Sequence, residues 1–230
     1  MQYYIRKVLE KEQLIEIDNI LNECNIHNQW VNGLNSGGGV KSVKNNLELS
    51  CGNSSTRING MIMNSLDCDI NFLNFTAAKS THLNIVSKTE SGGYYNPHID
   101  NWNNGDFSTT VFLSDPESYG NGELCLLLDN QEEKMVKLEK GWAITYSTGI
   151  LHRVNAITRG VRYVSVFWTN SLFKDSFHRH IYNQLGKLKI FLEQEVKSNP
   201  THYKTCQQIE KNPYFIADSL QHQILRKYST

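Results

Sequence analysis

Between residues 81 and 170, short runs rich in β-branched and aromatic side chains alternate with turn clusters, and this pattern limits the fold more than any other feature of the chain. The runs at 82–87, 109–113, 123–128, 135–138, 143–147 and 161–168 predict strands. Ser91-Gly92-Gly93, Asp115-Pro116, Gly120-Asn121-Gly122, Lys140-Gly141 and Arg159-Gly160 punctuate them as turns. Strands of this number and spacing predict an antiparallel sandwich or barrel. Leu124, Leu126 and Leu128 alternate with Cys125 and Leu127, so that run is apolar on both faces and predicts a strand inside the core.

Helices are expected on either side. Leu14, Ile17, Leu21 and Cys24, with Ile20 beside them, recur at the spacing of one helix face over 11–24. Residues 59–73 predict a second helix. Ile181, Leu185, Leu188 and Leu192 keep a face over 176–197, which Asn199-Pro200 ends. Shorter helices are expected at 201–211 and 214–228. The fold class is α+β, a β core with helices before and after it.

Composition removes several classes of function. The 230 residues carry 23 basic and 23 acidic side chains, so no basic footprint for nucleic acid shows at this level. No apolar run approaches the roughly 18 residues of a spanning helix, and the first residues, MQYYIRKVLEKEQ, are too charged for a signal peptide. Five cysteines without a CxxC read as reduced thiols in the cytoplasm.

His98-Ile99-Asp100 is a His-x-Asp triplet. Side chains two apart on a strand share a face, so an imidazole and a carboxylate can grip one ion. A surface histidine near an aspartate in a turn reads the same way. His152, however, follows 54 residues later, directly after the predicted strand 143–147 and the turn Ser147-Thr148-Gly149. Two histidines and a carboxylate on a β scaffold form the facial triad of a non-heme Fe(II) site, which leaves three positions open for substrate and O₂. No cysteine neighbours these residues, which argues against a thiolate-rich zinc site. Ten residues beyond His152 stands Arg162, inside a run of Val, Tyr, Phe and Trp. A buried guanidinium needs a partner. Either a dicarboxylate cosubstrate chelates iron with its keto-acid end and gives Arg162 its distal carboxylate, or a protein carboxylate pairs with Arg162. Spacing alone does not choose.

These motifs resemble the prolyl 4-hydroxylase branch of the Fe(II)/2-oxoglutarate dioxygenases, and more closely the bacterial PKHD-type hydroxylases. Val43-Lys44-Asn45-Asn46-Leu47-Glu48-Leu49 is similar to a KNNL segment of that family. TTVFLSDPESYGNGEL at 109–124 is similar to its TLFLSEPEDYDGGEL stretch, and LHRV at 151–154, TRG-x-R at 158–162 and VFW at 166–168 follow in the family's order. The similarity runs from the first helix to about residue 190. The resemblance implies a double-stranded β-helix, or jelly roll, and a hydroxylase that uses Fe(II), 2-oxoglutarate and O₂, with ascorbate as reductant. It places His98, Asp100 and His152 on the metal positions and Arg162 on the 2-oxoglutarate position. Ser108 and Thr110 fall on the strand that lines the cosubstrate pocket, and Tyr95 matches an aromatic common in the branch. The implied organisation is a dioxygenase domain over 1–172, with helices at 1–80 and the jelly roll at 81–172, and a helical extension at 173–230 packed on it. One departure stands out: relatives with a tyrosine nine residues before the first metal histidine have Thr89 here, a shorter hydroxyl. Asp100, where a halogenase would carry a small residue, argues for hydroxylation.

Two other functions share parts of this pattern. A non-catalytic metal-binding jelly roll would need no cosubstrate anchor such as Arg162. A nucleic-acid demethylase of the same superfamily would be expected to carry a basic surface. The substrate class stays open among a prolyl residue, a free amino acid and a small metabolite, and the oligomeric state between monomer and homodimer. Of the remaining motifs, His178-x-His180 lies on a predicted helix, where residues two apart do not share a face. Ser36-Gly37-Gly38-Gly39 lacks the GK[ST] of a phosphate loop. Trp168 and Tyr146 read as core more than site. The polar segment 101–107 with Trp102 is expected to be a mobile lid over the substrate, acting with the loop 35–39.

Overall fold

The computed structural model describes residues 2–36, 43–101, 103–198 and 212–230. The chain divides into two compact units, Met1–Cys68 with Thr81–Thr169, and Asp69–Ser80 with Asn170–Thr230.

The first unit is built on two antiparallel sheets. Its strands are β1 (Tyr3–Lys7), β2 (Trp30–Asn32), β3 (Lys44–Asn45), β4 (Leu47–Leu49), β5 (Ala78–Glu90, which enters from the second unit), β6 (Tyr94–His98), β7 (Phe107–Phe112), β8 (Tyr119–Asn121), β9 (Leu124–Leu127), β10 (Glu133–Val136), β11 (Trp142–Ser147), β12 (His152–Val154) and β13 (Ile157–Ser171). The larger sheet runs β1-β11-β7-β13-β5-β4-β2, with β8 also on β13, and the smaller runs β10-β9-β12-β6-β3. Between them lies the core. Phe112, Ile144, Tyr146 and Val164 from the larger sheet meet Leu124, Leu126 and Val136 from the smaller. Each such aliphatic or aromatic side chain contributes about 1.5–3 kcal/mol on leaving water. Leu124, Cys125 and Leu126 are all buried, so the doubly apolar run at 123–128 is a core strand as expected. The helices α1 (Lys11–Ile26) and α2 (Asn53–Asp67) pack on each other. They bury Ile17, Ile20, Leu21 and Cys24 on one and Ile58, Ile62 and Leu66 on the other.

Several boundaries differ from the sequence reading. Arg159-Gly160, expected as a turn, lies inside β13. Gly160 has φ +72 and pairs with Tyr119 just beyond a register shift between Ile157 and Arg159, so the turn signal marks an irregular stretch of one long strand. A Cβ at Gly160 would stand 2.1 Å from the Ser118 carbonyl oxygen, so only glycine allows this approach. The single helix expected at 59–73 is instead α2 followed by α3 (Ile70–Thr76) in the second unit. Asp69 starts α3 by accepting the Asn71 N–H with its side chain.

The second unit holds α3, α4 (Ser176–Ser198) and α5 (Pro213–Tyr228). The buried side of α4 is rotated from the expected face: Gly186 is buried whereas Leu188 is 44% exposed. A Cβ at Gly186 would lie 2.3 Å from Asn74 Oδ1, so the missing side chain lets α3 sit close and sets the rotation. Between α4 and α5, Lys189 pairs with Asp218 and Gln221 donates to the Tyr182 carbonyl. The helix expected at 201–211 lies outside the described residues.

Candidate active site

Strands of both sheets contribute side chains to a single cavity of about 420 Å³ within the first unit. Period-two alternation selects the lining. Arg162, Val164, Val166 and Trp168 on β13 all point inward, as do Ser108 and Thr110 on β7. Register aligns them, with Ser108 between Tyr146 on β11 and Trp168 on β13. Tyr146 and Trp168, read from sequence as core, are buried and line the cavity as well. In a small barrel the inward face of a strand is core and site at once.

His98 ends β6 and His152 begins β12, and the two are directly opposed in the ladder. Their ring centroids are 4.2 Å apart. Asp100 Oδ1 lies 4.0 Å from His98 Nε2 and 3.8 Å from His152 Nε2. Among the described residues, this trio is the cluster of His, Cys, Asp or Glu whose ligand atoms lie close enough to share an ion. Each histidine has Nδ1 2.8 Å from the carbonyl two residues earlier, Asn96 for His98 and Ile150 for His152. A carbonyl only accepts, so each Nδ1 carries the proton and each Nε2 keeps its lone pair. Burial, reinforced by the neighbouring His152, pushes His98 down to about 4, so its ring is neutral at pH 7. Trp168 Nε1–H donates to Asp100 Oδ2 at 2.9 Å and fixes the carboxylate. Tyr95 stacks on the His98 ring at 3.6 Å, and burial, then the nearby Asp100 charge, pushes its phenol up to about 12.

Arg162 is 3% exposed, with its guanidinium 5.3 Å from the centre of the Phe112 ring. Burial pushes its pKa down, and the adjacent Tyr119 hydroxyl partly offsets this. Among the described residues no carboxylate forms an ion pair with Arg162. Arg162 Nε and Tyr119 Oη are buried without a hydrogen-bond partner among the described residues, as is Ser108 Oγ farther along the cavity wall. Tyr119 pairs with Gly160 in register, and the close approach at that glycine brings the phenol beside the strand of Arg162. Such a set of unsatisfied donors suits an incoming carboxylate.

The donor sets therefore fit a divalent ion of intermediate hardness and a dicarboxylate. Thr89 is buried in the same cavity wall. The sequence reading missed Trp168 as a partner of Asp100, Tyr119 beside Arg162, and the charged pair Lys44–Glu48 in the wall. The inward alternation from Arg162 to Trp168 was the available signal for the first. His178 stacks on Tyr228 at 3.9 Å. The segment expected as a lid is bonded to its neighbours at two residues. Gly105 O accepts from Thr148 Oγ1, and Asp106 N–H donates to Thr169 O. Trp102 and residues 37–39 lie outside the described residues.

Residues 82–170 match the family model described as "2OG-Fe(II) oxygenase superfamily". A PKHD-type hydroxylase of Aliarcobacter butzleri is 33% identical over 197 residues, covering 80% of this chain and 85% of that protein. Another from Gloeothece citriformis is 32% identical, covering 84% of this chain and 90% of that protein. Among solved structures, a Trichoplax adhaerens prolyl hydroxylase in complex with a hypoxia inducible factor peptide fragment superposes with a TM-score of 0.62 at 16% identity, covering 74% of this chain and 84% of that one. A Pseudomonas putida prolyl-4-hydroxylase gives 0.56 at 11% identity, covering 74% and 92%. At these identities the structural likeness establishes the fold, a double-stranded β-helix with flanking helices.

Proposed function

Because the chain belongs to the PKHD-type hydroxylases of the 2OG-Fe(II) oxygenase superfamily, we propose that it hydroxylates an unactivated C–H bond of a small or peptidyl substrate in the cavity that holds His98, Asp100, His152 and Arg162. The family makes it an oxidoreductase that uses Fe(II), 2-oxoglutarate and O₂. The observation that carries the assignment of residues is the trio of ligand atoms sharing one cavity with a buried arginine that lacks an ion-pair partner among the described residues.

In this reading His98 Nε2, His152 Nε2 and Asp100 hold the metal, and Arg162 takes the distal carboxylate of 2-oxoglutarate. The bound metal, with 2-oxoglutarate and O₂, would supply the oxidising chemistry, giving succinate and CO₂ while one oxygen atom enters the substrate C–H bond. The protein's part is placement. The carbonyls of Asn96 and Ile150 fix both imidazole tautomers, and Trp168 fixes the Asp100 carboxylate, so three donors converge before any ion arrives. The guanidinium fork sets the cosubstrate's orientation, and Ser108 and Thr110 offer hydroxyls along its length. Val164 and Val166 keep water from that stretch of wall. Ascorbate as reductant belongs to the same proposal. So does a cytoplasmic location, supported by the free state of Cys24, Cys51, Cys68 and Cys125. No helix among the described residues is long and apolar enough to cross a membrane.

The test is stoichiometric. Purified protein with Fe(II) should convert 2-oxoglutarate to succinate, slowly without substrate and faster with it. His152→Ala should abolish both rates and iron loading. Undiminished succinate from His152→Ala would overturn the assignment.

A further inference from the structure

The segment from Lys44 to Leu49 joins the two sheets. β3 pairs with β6 in the smaller sheet, with Lys44 opposite Tyr95. β4 pairs with β5 in the larger, with Glu48 opposite Ser87. Along this crossing the period-two rule holds: Lys44, Asn46 and Glu48 line the cavity, while Leu49 is buried in the core. Four residues of extended chain separate Cα atoms by about 13 Å. The two charged side chains nevertheless converge, with Lys44 Nζ 2.7 Å from Glu48 Oε1 and side-chain exposures of 6% and 12%. The ammonium also lies 5.4 Å from the centre of the Tyr95 ring, whose other neighbour is His98.

A buried ion pair is poor value for stability, because desolvation offsets its attraction and an apolar pair of similar volume often does as well. Here it stands in the wall of the reaction cavity. Resting on the assignment proposed above, we infer that Lys44, Asn46 and Glu48 read the substrate, and that the group they read is the paired ammonium and carboxylate of a free α-amino acid. Three observations lead there. The pair has no net charge, so a simple anion meets Glu48 and a simple cation meets Lys44, and each is opposed. Both charges are desolvated, so a ligand that opens the pair must return a full charge to each partner, which a neutral amide does not do. A zwitterion does both by exchange, its carboxylate to Lys44 and its ammonium to Glu48. The cavity of about 420 Å³ also seats the cosubstrate. That volume is near the small end of the ~300–1,000 Å³ range of ligand pockets and favours a compact substrate. Asn46, with Oδ1 buried and unpartnered among the described residues, adds an acceptor to the same wall.

The experiment measures succinate from the Fe(II)-loaded wild-type protein with 2-oxoglutarate and each of the common free amino acids, then with the N-acetylated and C-amidated form of each. At least one free amino acid should raise turnover tenfold or more, and blocking either end should remove most of that gain. Equal stimulation by the blocked forms, or no stimulation by any free amino acid while slow succinate release proceeds, would overturn the inference. A binding readout stands beside it. In protein loaded with Mn(II) and 2-oxoglutarate, the stimulating amino acid should raise the melting temperature. The double variant Lys44→Met/Glu48→Leu should melt near the wild type yet lose that rise, and a retained rise would also count against the proposal. If the variant does not fold, the blocked and free amino acids on the wild type still decide. Absence of any succinate and of any metal-dependent response to 2-oxoglutarate would defeat the proposed function itself.

Discussion

The two ends of the cavity proposed as the active site are finished to different degrees. At the histidine end the protein has already satisfied the atoms that face away from the ion position. Both Nδ1 atoms are bonded to carbonyls, and Asp100 Oδ2 is bonded to Trp168. At the arginine end, Arg162 Nε and the neighbouring Tyr119 Oη are buried and unpartnered among the described residues. A metal end with fixed donors binds its ion with little rearrangement. An arginine end left unsatisfied carries a desolvation cost that a carboxylate removes on arrival, so cosubstrate binding and local stability are coupled there.

Substitutions that act on one end alone can break this contrast. The largest effect is expected at Arg162. Removing one member of a buried charged pair costs about 2–5 kcal/mol, so Arg162→Leu should raise the KM for 2-oxoglutarate by about 100-fold or more. Iron affinity should change little. Without cosubstrate this variant should melt no lower than the wild type, since an uncompensated buried charge is gone. A large drop in that melting temperature would show that Arg162 already has a structural partner. Trp168→Phe should act on the other end. It frees Asp100 Oδ2 and should weaken iron binding by about 10–100-fold, read by competition with a chelator, with a smaller effect on 2-oxoglutarate. The smallest effect belongs to Tyr119→Phe. Losing one hydrogen-bonding hydroxyl beside the guanidinium is worth about 0.5–1.5 kcal/mol, a roughly 2–10-fold rise in the KM for 2-oxoglutarate with kcat nearly kept. Pyruvate, which lacks the distal carboxylate, should bind both proteins alike. Equal losses for both ligands would mean that Tyr119 supports the fold in general.

The same contrast separates what the sequence made legible from what it did not. That His98, Asp100, His152 and Arg162 would stand together was suggested by the His-x-Asp triplet, the later histidine and the charged residue inside an apolar run, while spacing alone left the partner of Arg162 open. The β core was readable from turn clusters and β-branched runs. Strand β6 was hidden because Tyr94–His98 contains Pro97, which cannot donate to a ladder, and little aliphatic character. Arg159-Gly160, beside the register shift in β13, carried the same residue signal as a turn, and only the pairing with β8 tells them apart. Trp168, Tyr119 and the Lys44–Glu48 pair were out of reach for a different reason. Each acts through a partner brought near by cross-strand register, which no local pattern encodes. The break at Asp69 was available in principle, since an aspartate before an apolar run is a helix-start signal.

An anaerobic crystal structure of the wild-type protein with Fe(II) and 2-oxoglutarate, with data collected at the iron absorption edge, tests the central claim most directly. It should show one iron bound by His98 Nε2, His152 Nε2 and Asp100, with these side chains scarcely moved. The distal carboxylate of 2-oxoglutarate should lie on Arg162. Iron at any other set of residues, or a cosubstrate whose distal carboxylate points away from Arg162, would contradict the account.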